Sequence, residues 1–189
     1  ISIGSGYPEN LLDLDNSVEK NIALLAEAKK TSPEKLTACI LDRPRHKNII
    51  ESLMKLKVNI NFITDGDVAG AMNVIDEKSP VDIYLGIGGG PEGVLAAAAI
   101  SCYNGQMQTR LVLDNEEKKR ASKMGVKDFT KKNNIKEIIK DDVIFCATAV
   151  TNGDLLKGIT TNKDTFTAST IALHKSSNTQ KIVTNIHKK

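Results

Sequence analysis

The sequence predicts an α/β fold built on a largely parallel sheet. Short β-branched segments alternate with amphipathic segments through residues 37–103, a pattern typical of parallel strands joined by helices. Near the C-terminus, two segments of alternating apolar and polar residues predict a β-hairpin. Apolar residues make up 40% of the 189 residues, which is enough for a hydrophobic core of ordinary size.

The first predicted element is a helix near 16–30. Val18, Ile22 and Leu25 follow helical spacing there, and Asn16 or Ser17 can cap the start. Three strand–turn–helix units come next, with strands predicted at 37–41, 58–64 and 81–85 and helices at 48–57, 68–77 and 91–103. Because the carboxyl ends of parallel strands meet at one edge of a sheet, the three turns are expected to face one crevice.

The later elements are less regular. Helices are predicted near 115–124 and 135–140, and a strand at 143–148. The hairpin strands are predicted at 165–174 and 181–187, joined by the polar segment 175–179.

The composition argues against several classes of partner. The 26 Lys and Arg residues exceed the 23 Asp and Glu residues by only three and form no basic stripe, which argues against nucleic-acid binding. The longest nearly apolar run, 94–100, is too short to span a bilayer, so no membrane partner is expected. With no signal peptide before that run, a cytoplasmic location is expected. Three widely spaced cysteines without a CxxC pair predict buried, reduced thiols rather than metal ligands or nucleophiles. The chain begins with Ile1 rather than methionine, which suggests a piece of a longer protein.

Residues 85–99 lead from an apolar strand through a glycine-rich loop into an alanine-rich helix. Such a loop lets backbone N–H groups approach an anion, and the helix N-terminus favours negative charge. The loop matches neither the Gly-Lys-Ser/Thr nor the G-x-G-x-x-G fingerprint, which disfavours ATP and NAD. Glu92 would repel a phosphate unless a cation lay between them, so the loop suggests a metal as well. The alternative is a tight turn that needs glycine for packing, with Glu92 as an ordinary first-turn residue.

The two other turns carry charge of opposite sign. Arg43 and Arg45 offer forked donors matched to phosphate oxygens, although a solvated helix start is an equal alternative. His46 is expected at the surface or at a helix cap. Asp65 and Asp67 can accept sugar hydroxyls or hold a cation, or simply shape the turn and cap the next helix. Together the turns suggest a metal-assisted phosphoester site that is short of carboxylates.

These turns, in this order, resemble the class II fructose-1,6-bisphosphatases of bacteria, a family within the lithium-sensitive sugar-phosphatase superfamily. The similar segments are residues 41–46, 65–71, 86–99 and 147–158. The resemblance implies a layered α/β/α/β/α fold. It also implies hydrolysis of the 1-phosphate of fructose 1,6-bisphosphate with Mn²⁺ or Mg²⁺, in gluconeogenesis and glycerol metabolism. Some relatives also cleave sedoheptulose 1,7-bisphosphate.

Carried over by position, the resemblance makes Glu92 a metal ligand and assigns no catalytic residue to this chain. It implies substrate contacts at Arg43, Pro44, Arg45, Asp65, Gly66, Asp67 and Gly89. Gly90 stands where the family more often has alanine, and Ala149 where it often has glycine.

The resemblance also bears on completeness. Family members are longer, which implies that residues 1–189 are the C-terminal portion and that further metal ligands lie in an N-terminal half. It implies a homo-oligomer at full length and negligible activity for the portion alone. Two other interpretations stay open: a non-catalytic sugar-phosphate-binding α/β module, and a phosphatase similar to the inositol monophosphatases. The paired basic turn favours a sugar bisphosphate as substrate.

Overall fold

The computed structural model describes residues 1–153 and 155–189. The helices of this part are α1 (Val18–Ala28), α2 (Lys47–Lys55), α3 (Asp67–Met72), α4 (Gly90–Ser101), α5 (Asn115–Lys123) and α6 (Ile135–Ile138). The strands are β1 (Ser2–Ile3), β2 (Thr37–Leu41), β3 (Asn59–Ile63), β4 (Ile83–Tyr84), β5 (Gln106–Arg110), β6 (Lys132–Asn134), β7 (Ile144–Thr148), β8 (Thr160–Thr161), β9 (Thr165–His174) and β10 (Thr179–Lys188).

The first sheet has the strand order β3-β2-β4-β1-β5-β6. β2 runs parallel to β3 and β4, whereas β1 is antiparallel to both β4 and β5, so β5 shares the direction of β4. In the described residues, four of the six strands therefore run one way, and β1 and β6 run the other. The prediction of an α/β fold is confirmed, but the sheet is mixed rather than largely parallel. Among the described residues, β2 pairs in parallel with β3 and β4, whereas the pairings β1–β4, β1–β5 and β5–β6 are antiparallel, because β1 lies between β4 and β5.

Helices cover both faces of this sheet, because successive strand residues point to opposite sides. Ala38 and Ile40 of β2 pack into one hydrophobic core with Leu25 of α1 and Leu53 of α2. Cys39, between them in sequence, packs on the opposite face with residues of α3 and α4. The carboxyl ends of the central strands are thus held between two helical layers.

The second sheet is antiparallel, with the order β10-β9-β7 and β8 paired to β9. It packs on the far side of α4, where Phe145, Ile171 and Leu173 contact Ala98 and Ala99. Small alanine side chains let α4 lie close to both sheets. The described residues therefore form the layers α/β/α/β, which are four of the five layers implied by the resemblance.

The C-terminal hairpin is confirmed, and its second strand begins two residues earlier than expected, since Thr179 pairs with His174. A carboxylate fixes the hairpin turn. Asp142 accepts hydrogen bonds from the Ser176 N–H (3.0 Å) and the Ser176 hydroxyl (2.7 Å), and it lies 2.8 Å from His174 Nε2. These contacts lower the pKa of Asp142 to about 2.

The expectation for the cysteines is correct for Cys39 and Cys102, which are buried. It is wrong for Cys146, which lies on the exposed face of the short strand β7. In the part of the chain that the structure describes, no helix is long and apolar enough to cross a membrane.

Candidate active site

Three turns meet at one edge of the first sheet. They follow β2, β3 and β4, which are parallel neighbours, so their carboxyl ends lie side by side. This is the edge at which open α/β sheets bind ligands. The structure therefore brings together the basic turn (42–47), the acidic turn (64–67) and the glycine loop (86–90), as the sequence predicts.

The basic turn is built by Pro44–His46, which forms a single 3₁₀ turn after β2. Arg43 is half-buried, and its guanidinium donates to the backbone oxygens of Asp42 (3.0 Å) and Thr64. Arg45 is exposed, and its Nε donates to the Ile87 oxygen at 2.7 Å. Both predicted phosphate ligands therefore also tie the basic turn to its neighbours: Arg43 to the end of β3, and Arg45 to the glycine loop.

His46 is the N-cap residue of α2, so the expectation of a helix cap is correct for its position, although its side chain makes no capping hydrogen bond. The alternative expectation of a surface position is wrong, because the side chain is fully buried. Its Nδ1 donates to the Leu41 oxygen and its Nε2 accepts from the Ile87 N–H, both at 2.8 Å. Since a carbonyl only accepts and an amide N–H only donates, these partners assign the neutral Nδ1–H tautomer. The sequence carried a signal for this burial, because His46, Ile50 and Leu53 follow helical spacing on the buried face of α2.

The acidic turn contains Gly66 in the left-handed region, with φ +85°, which favours glycine. Asp65 accepts a hydrogen bond from the Gly66 N–H at 2.8 Å, as expected for a turn residue. Gly66, not Asp67, is the cap of α3, and Asp67 is the first helical residue. The Asp67 side chain reaches the glycine loop, where a Cβ added to Gly88 would lie 2.1 Å from its Oδ2.

Glu92 lies in the first turn of α4, and its carboxylate folds back over the loop. A Cβ added to Gly89 would lie 2.0 Å from Glu92 Oε2. Two consecutive glycines therefore make room for two carboxylates, one from α3 and one from α4. A Cβ added to Gly90 meets no atom within 4 Å, so an alanine would fit at this position.

The N-terminus of α4 supplies backbone donors beside these carboxylates. Gly89 caps the helix without a side-chain hydrogen bond, and proline occupies the first turn. The first N–H groups of a helix have no intrahelical partner, and the helix dipole adds partial positive charge. Exposed glycines at this position leave room for an anion.

Tyr84 lies beneath the site and was not singled out from the sequence. It is buried, and its hydroxyl would lie 3.5 Å from a Cβ added to Gly86. Burial, with a smaller contribution from the negative charge of Asp67, raises the pKa of Tyr84 well above its usual range. The side chain therefore stays a neutral phenol at the floor of the site.

The two carboxylates are the right type of ligand for a divalent cation, but they are too few to hold one. Asp67 and Glu92 offer oxygen donors, which Mg²⁺ and Mn²⁺ prefer. Within residues 1–153 and 155–189, no three His, Cys, Asp or Glu side chains are grouped closely enough to hold a metal ion. Such cations need more ligands than these two side chains supply.

Comparison with known proteins decides the family. The family described as "Bacterial fructose-1,6-bisphosphatase, glpX-encoded" matches residues 1–187. The chain belongs to this family. The predicted resemblance is therefore confirmed. Asp154, which lies within the similar segment 147–158, is outside the described residues.

Three curated relatives of this bisphosphatase-family chain are longer than it is. The "Fructose-1,6-bisphosphatase class 2" of Haemophilus influenzae is 35% identical over 98% of the chain, which spans 60% of that protein. Two proteins named "D-fructose 1,6-bisphosphatase class 2/sedoheptulose 1,7-bisphosphatase" are similar to it. That of Synechocystis is 29% identical over 94% of the chain and 56% of its own length. That of Synechococcus is 30% identical over 93% of the chain and 55% of its own length. The chain thus spans little more than half the length of these relatives.

Proposed function

We propose that this protein is a metal-dependent phosphatase that hydrolyses the 1-phosphate of fructose 1,6-bisphosphate. The observation that carries the proposal is the convergence of Asp67 and Glu92 on adjacent glycines at the N-terminus of α4. This arrangement puts a cation ligand, Glu92, and an acceptor for sugar hydroxyls, Asp67, next to backbone donors for an anion. The exposed Arg45 beside the loop adds a positive charge that suits a phosphate.

The proposed roles follow the chemistry of each side chain. Glu92 is the metal ligand, and the residues that contact substrate are Arg43, Pro44, Arg45, Asp65, Gly66, Asp67 and Gly89. Arg43 is half-buried and donates to two backbone oxygens, so we assign it mainly to holding the turns together. Arg45 and the α4 N–H groups are better placed to bind a phosphate, because they are exposed.

The reaction is the attack of water on phosphorus with cleavage of the bond to the sugar oxygen, which leaves with a proton. A divalent cation held by Glu92 and by further ligands from the rest of the protein would supply polarisation of the phosphoryl oxygens and a lower pKa for the attacking water. In this chain, Arg45 and the α4 N-terminus stabilise the negative charge of the phosphoryl group. Asp65 and Asp67 accept hydroxyl hydrogen bonds that orient the sugar.

A further part of the proposal concerns the longer protein to which this chain would belong. We infer that residues 1–189 are the C-terminal portion of a bisphosphatase, since the curated relatives are longer and two carboxylates are too few for a cation. The further ligands would come from an N-terminal half. We propose Mn²⁺ or Mg²⁺ as the metal, a homo-oligomer, a cytoplasmic location, and a role in gluconeogenesis and glycerol metabolism. Sedoheptulose 1,7-bisphosphate is a second candidate substrate, because two of the relatives carry its name.

The test uses the full-length gene product with Mn²⁺ and fructose 1,6-bisphosphate, measuring release of phosphate. Glu92→Gln keeps the size of the side chain and removes its charge, and we expect kcat to fall about 100-fold or more. Glu116→Gln is the matched control, because Glu116 is exposed on α5 and forms a surface ion pair with Lys119. Equal rates in Glu92→Gln and wild type would refute the metal assignment.

Two further measurements separate the alternatives. Calorimetry on the 189-residue chain without metal tests the non-catalytic module, which predicts tight binding of the sugar bisphosphate by this chain alone. A substrate panel tests the inositol-monophosphatase alternative, which predicts a higher kcat/KM for a monophosphate than for a bisphosphate.

A further inference from the structure

We propose that His46 is a positioning residue that holds the glycine loop in its anion-binding form. The inference rests on the proposed function, because it assigns His46 a task within the same site. The side chain is fully buried and joins two elements, the end of β2 at Leu41 and the loop after β4 at Ile87, which itself lies 41 residues from His46 in sequence.

His46 makes one hydrogen bond as a donor to β2 and one as an acceptor from the glycine loop. Nδ1 is anchored by donating to the Leu41 oxygen, at the last residue of β2. With Nδ1 protonated, Nε2 is left as an acceptor, and it takes the Ile87 N–H at 2.8 Å. The rigid strand therefore orients the ring, and the ring orients the loop.

A second contact fixes the next peptide of the loop. The Ile87 N–H belongs to the peptide that joins Gly86 and Ile87, whereas the Ile87 oxygen belongs to the peptide that follows. Arg45 Nε donates to that oxygen at 2.7 Å. Both peptide planes that flank Ile87 are thus held, one by His46 and the other by Arg45.

The orientation of these planes decides where the next donor points. All described peptide bonds are trans, so the N–H of Gly88 points away from the carbonyl that faces Arg45. Gly88 and Gly89 follow directly, beside the carboxylates of Asp67 and Glu92. Glycines have wide backbone freedom, so a loop of this composition needs such anchors to keep its N–H groups aimed at one place.

Two substitutions separate the contacts of the ring. His46→Gln can place an oxygen where Nε2 lies and so keeps an acceptor for the Ile87 N–H, but it loses the donor to Leu41. His46→Asn can keep the donor to Leu41, but its shorter side chain does not reach Ile87. A positioning role through the loop predicts that the glutamine variant retains function and the asparagine variant does not.

The first readout is hydrogen exchange at Ile87 in the full-length gene product, which does not depend on activity. We expect exchange of this amide to be at least about 10-fold faster in His46→Asn than in wild type, since the acceptor is gone. In His46→Gln it should stay within about 3-fold of wild type. His174→Asn is the matched control, because both ring nitrogens of His174 are hydrogen-bonded in the hairpin turn, on the other sheet.

The second readout is the pair kcat and KM for fructose 1,6-bisphosphate. In His46→Asn, a loosened anion loop raises KM and lowers kcat, with an expected loss of about 10-fold or more in kcat/KM. A merely structural defect lowers the folded fraction, and with it kcat, but leaves KM unchanged. We expect His46→Gln to recover most of the loss.

The outcomes are distinct. Unchanged Ile87 exchange in His46→Asn overturns the positioning role, and so does faster exchange with an unchanged KM. Absence of hydrolysis in the wild-type protein refutes the proposed function instead. In that case, calorimetry measures the affinity of wild type and His46→Asn for the sugar bisphosphate. The comparison tests whether the contact between His46 and Ile87 contributes to binding. A weaker affinity of the variant supports the contact, and an equal affinity overturns it.

Discussion

The contact between Gly89 and Glu92 allows a sharp test of the site. Gly89 has φ −69° and ψ 146°, an extended conformation that alanine adopts without strain. The added Cβ would nevertheless lie 2.0 Å from Glu92 Oε2 and 2.8 Å from its Cδ, whereas ordinary contacts begin at 3.4 Å. The Glu92 carboxylate must therefore move by more than 1 Å in Gly89→Ala.

The displacement should affect activity far more than stability. The atoms in the way are the flexible end of an exposed side chain, so we expect the free energy of unfolding to change by less than about 1 kcal/mol. Misplacing a catalytic group by about 1 Å can lower a rate about 100-fold. We therefore expect kcat for phosphate release to fall about 100-fold in the full-length Gly89→Ala variant.

The neighbouring glycine provides the control. A Cβ added to Gly90 meets no atom within 4 Å, so Gly90→Ala should keep wild-type activity and stability. The assay is release of phosphate from fructose 1,6-bisphosphate with Mn²⁺, with thermal unfolding of each variant measured in parallel. Wild-type kcat/KM in Gly89→Ala, or an equal loss in Gly90→Ala, would show that the position of Glu92 does not govern the reaction.

Two further predictions concern stability. The pKa of Asp142 is lowered from 3.8 to about 2, so its contribution to folding is complete above pH 4 and is lost as the pH falls toward 2. Urea unfolding between pH 2 and pH 5 should show a shallower acid dependence in Asp142→Asn, and an unchanged slope would contradict the assignment. In Gly70→Ala, the added Cβ would lie 2.3 Å from Ile63 Cδ1 and 3.1 Å from Tyr84 Cε2, so the Ile63 side chain or α3 must shift. We expect a loss of about 1–3 kcal/mol in urea unfolding at pH 7, and wild-type stability would show that this contact relaxes freely.

Local sequence patterns were enough to predict much of the fold. The strand 37–41 has the predicted bounds, and the turns after β2, β3 and β4 were found by their composition. β-Branched runs and glycine-rich turns report mainly on the chain near them, so they are readable without partners. Four strands of the described residues were missed, β1, β5, β6 and β8, because they are short or polar. Such strands form through pairing with neighbours that are distant in sequence.

The candidate site divides in the same way. The sequence identified the turns and the charged residues, because the chemistry of Arg45, Asp67 and Glu92 is visible in their side chains. It allowed for His46 at a helix cap but missed its burial and its hydrogen bond from the Ile87 N–H, and it overlooked Tyr84, whose neutral state depends on burial. Those properties arise from residues that become neighbours only on folding.

By itself, the sequence determined an α/β fold, three turns at one sheet edge, and membership of a bisphosphatase family. Only the tertiary structure decided that Asp67 lies against Gly88 and Glu92 against Gly89, and that His46 holds the Ile87 N–H. The physical reason is that hydrophobic periodicity and turn chemistry act over a few residues. The positions of two carboxylates and one imidazole relative to a loop depend on how two helices and two strands pack together.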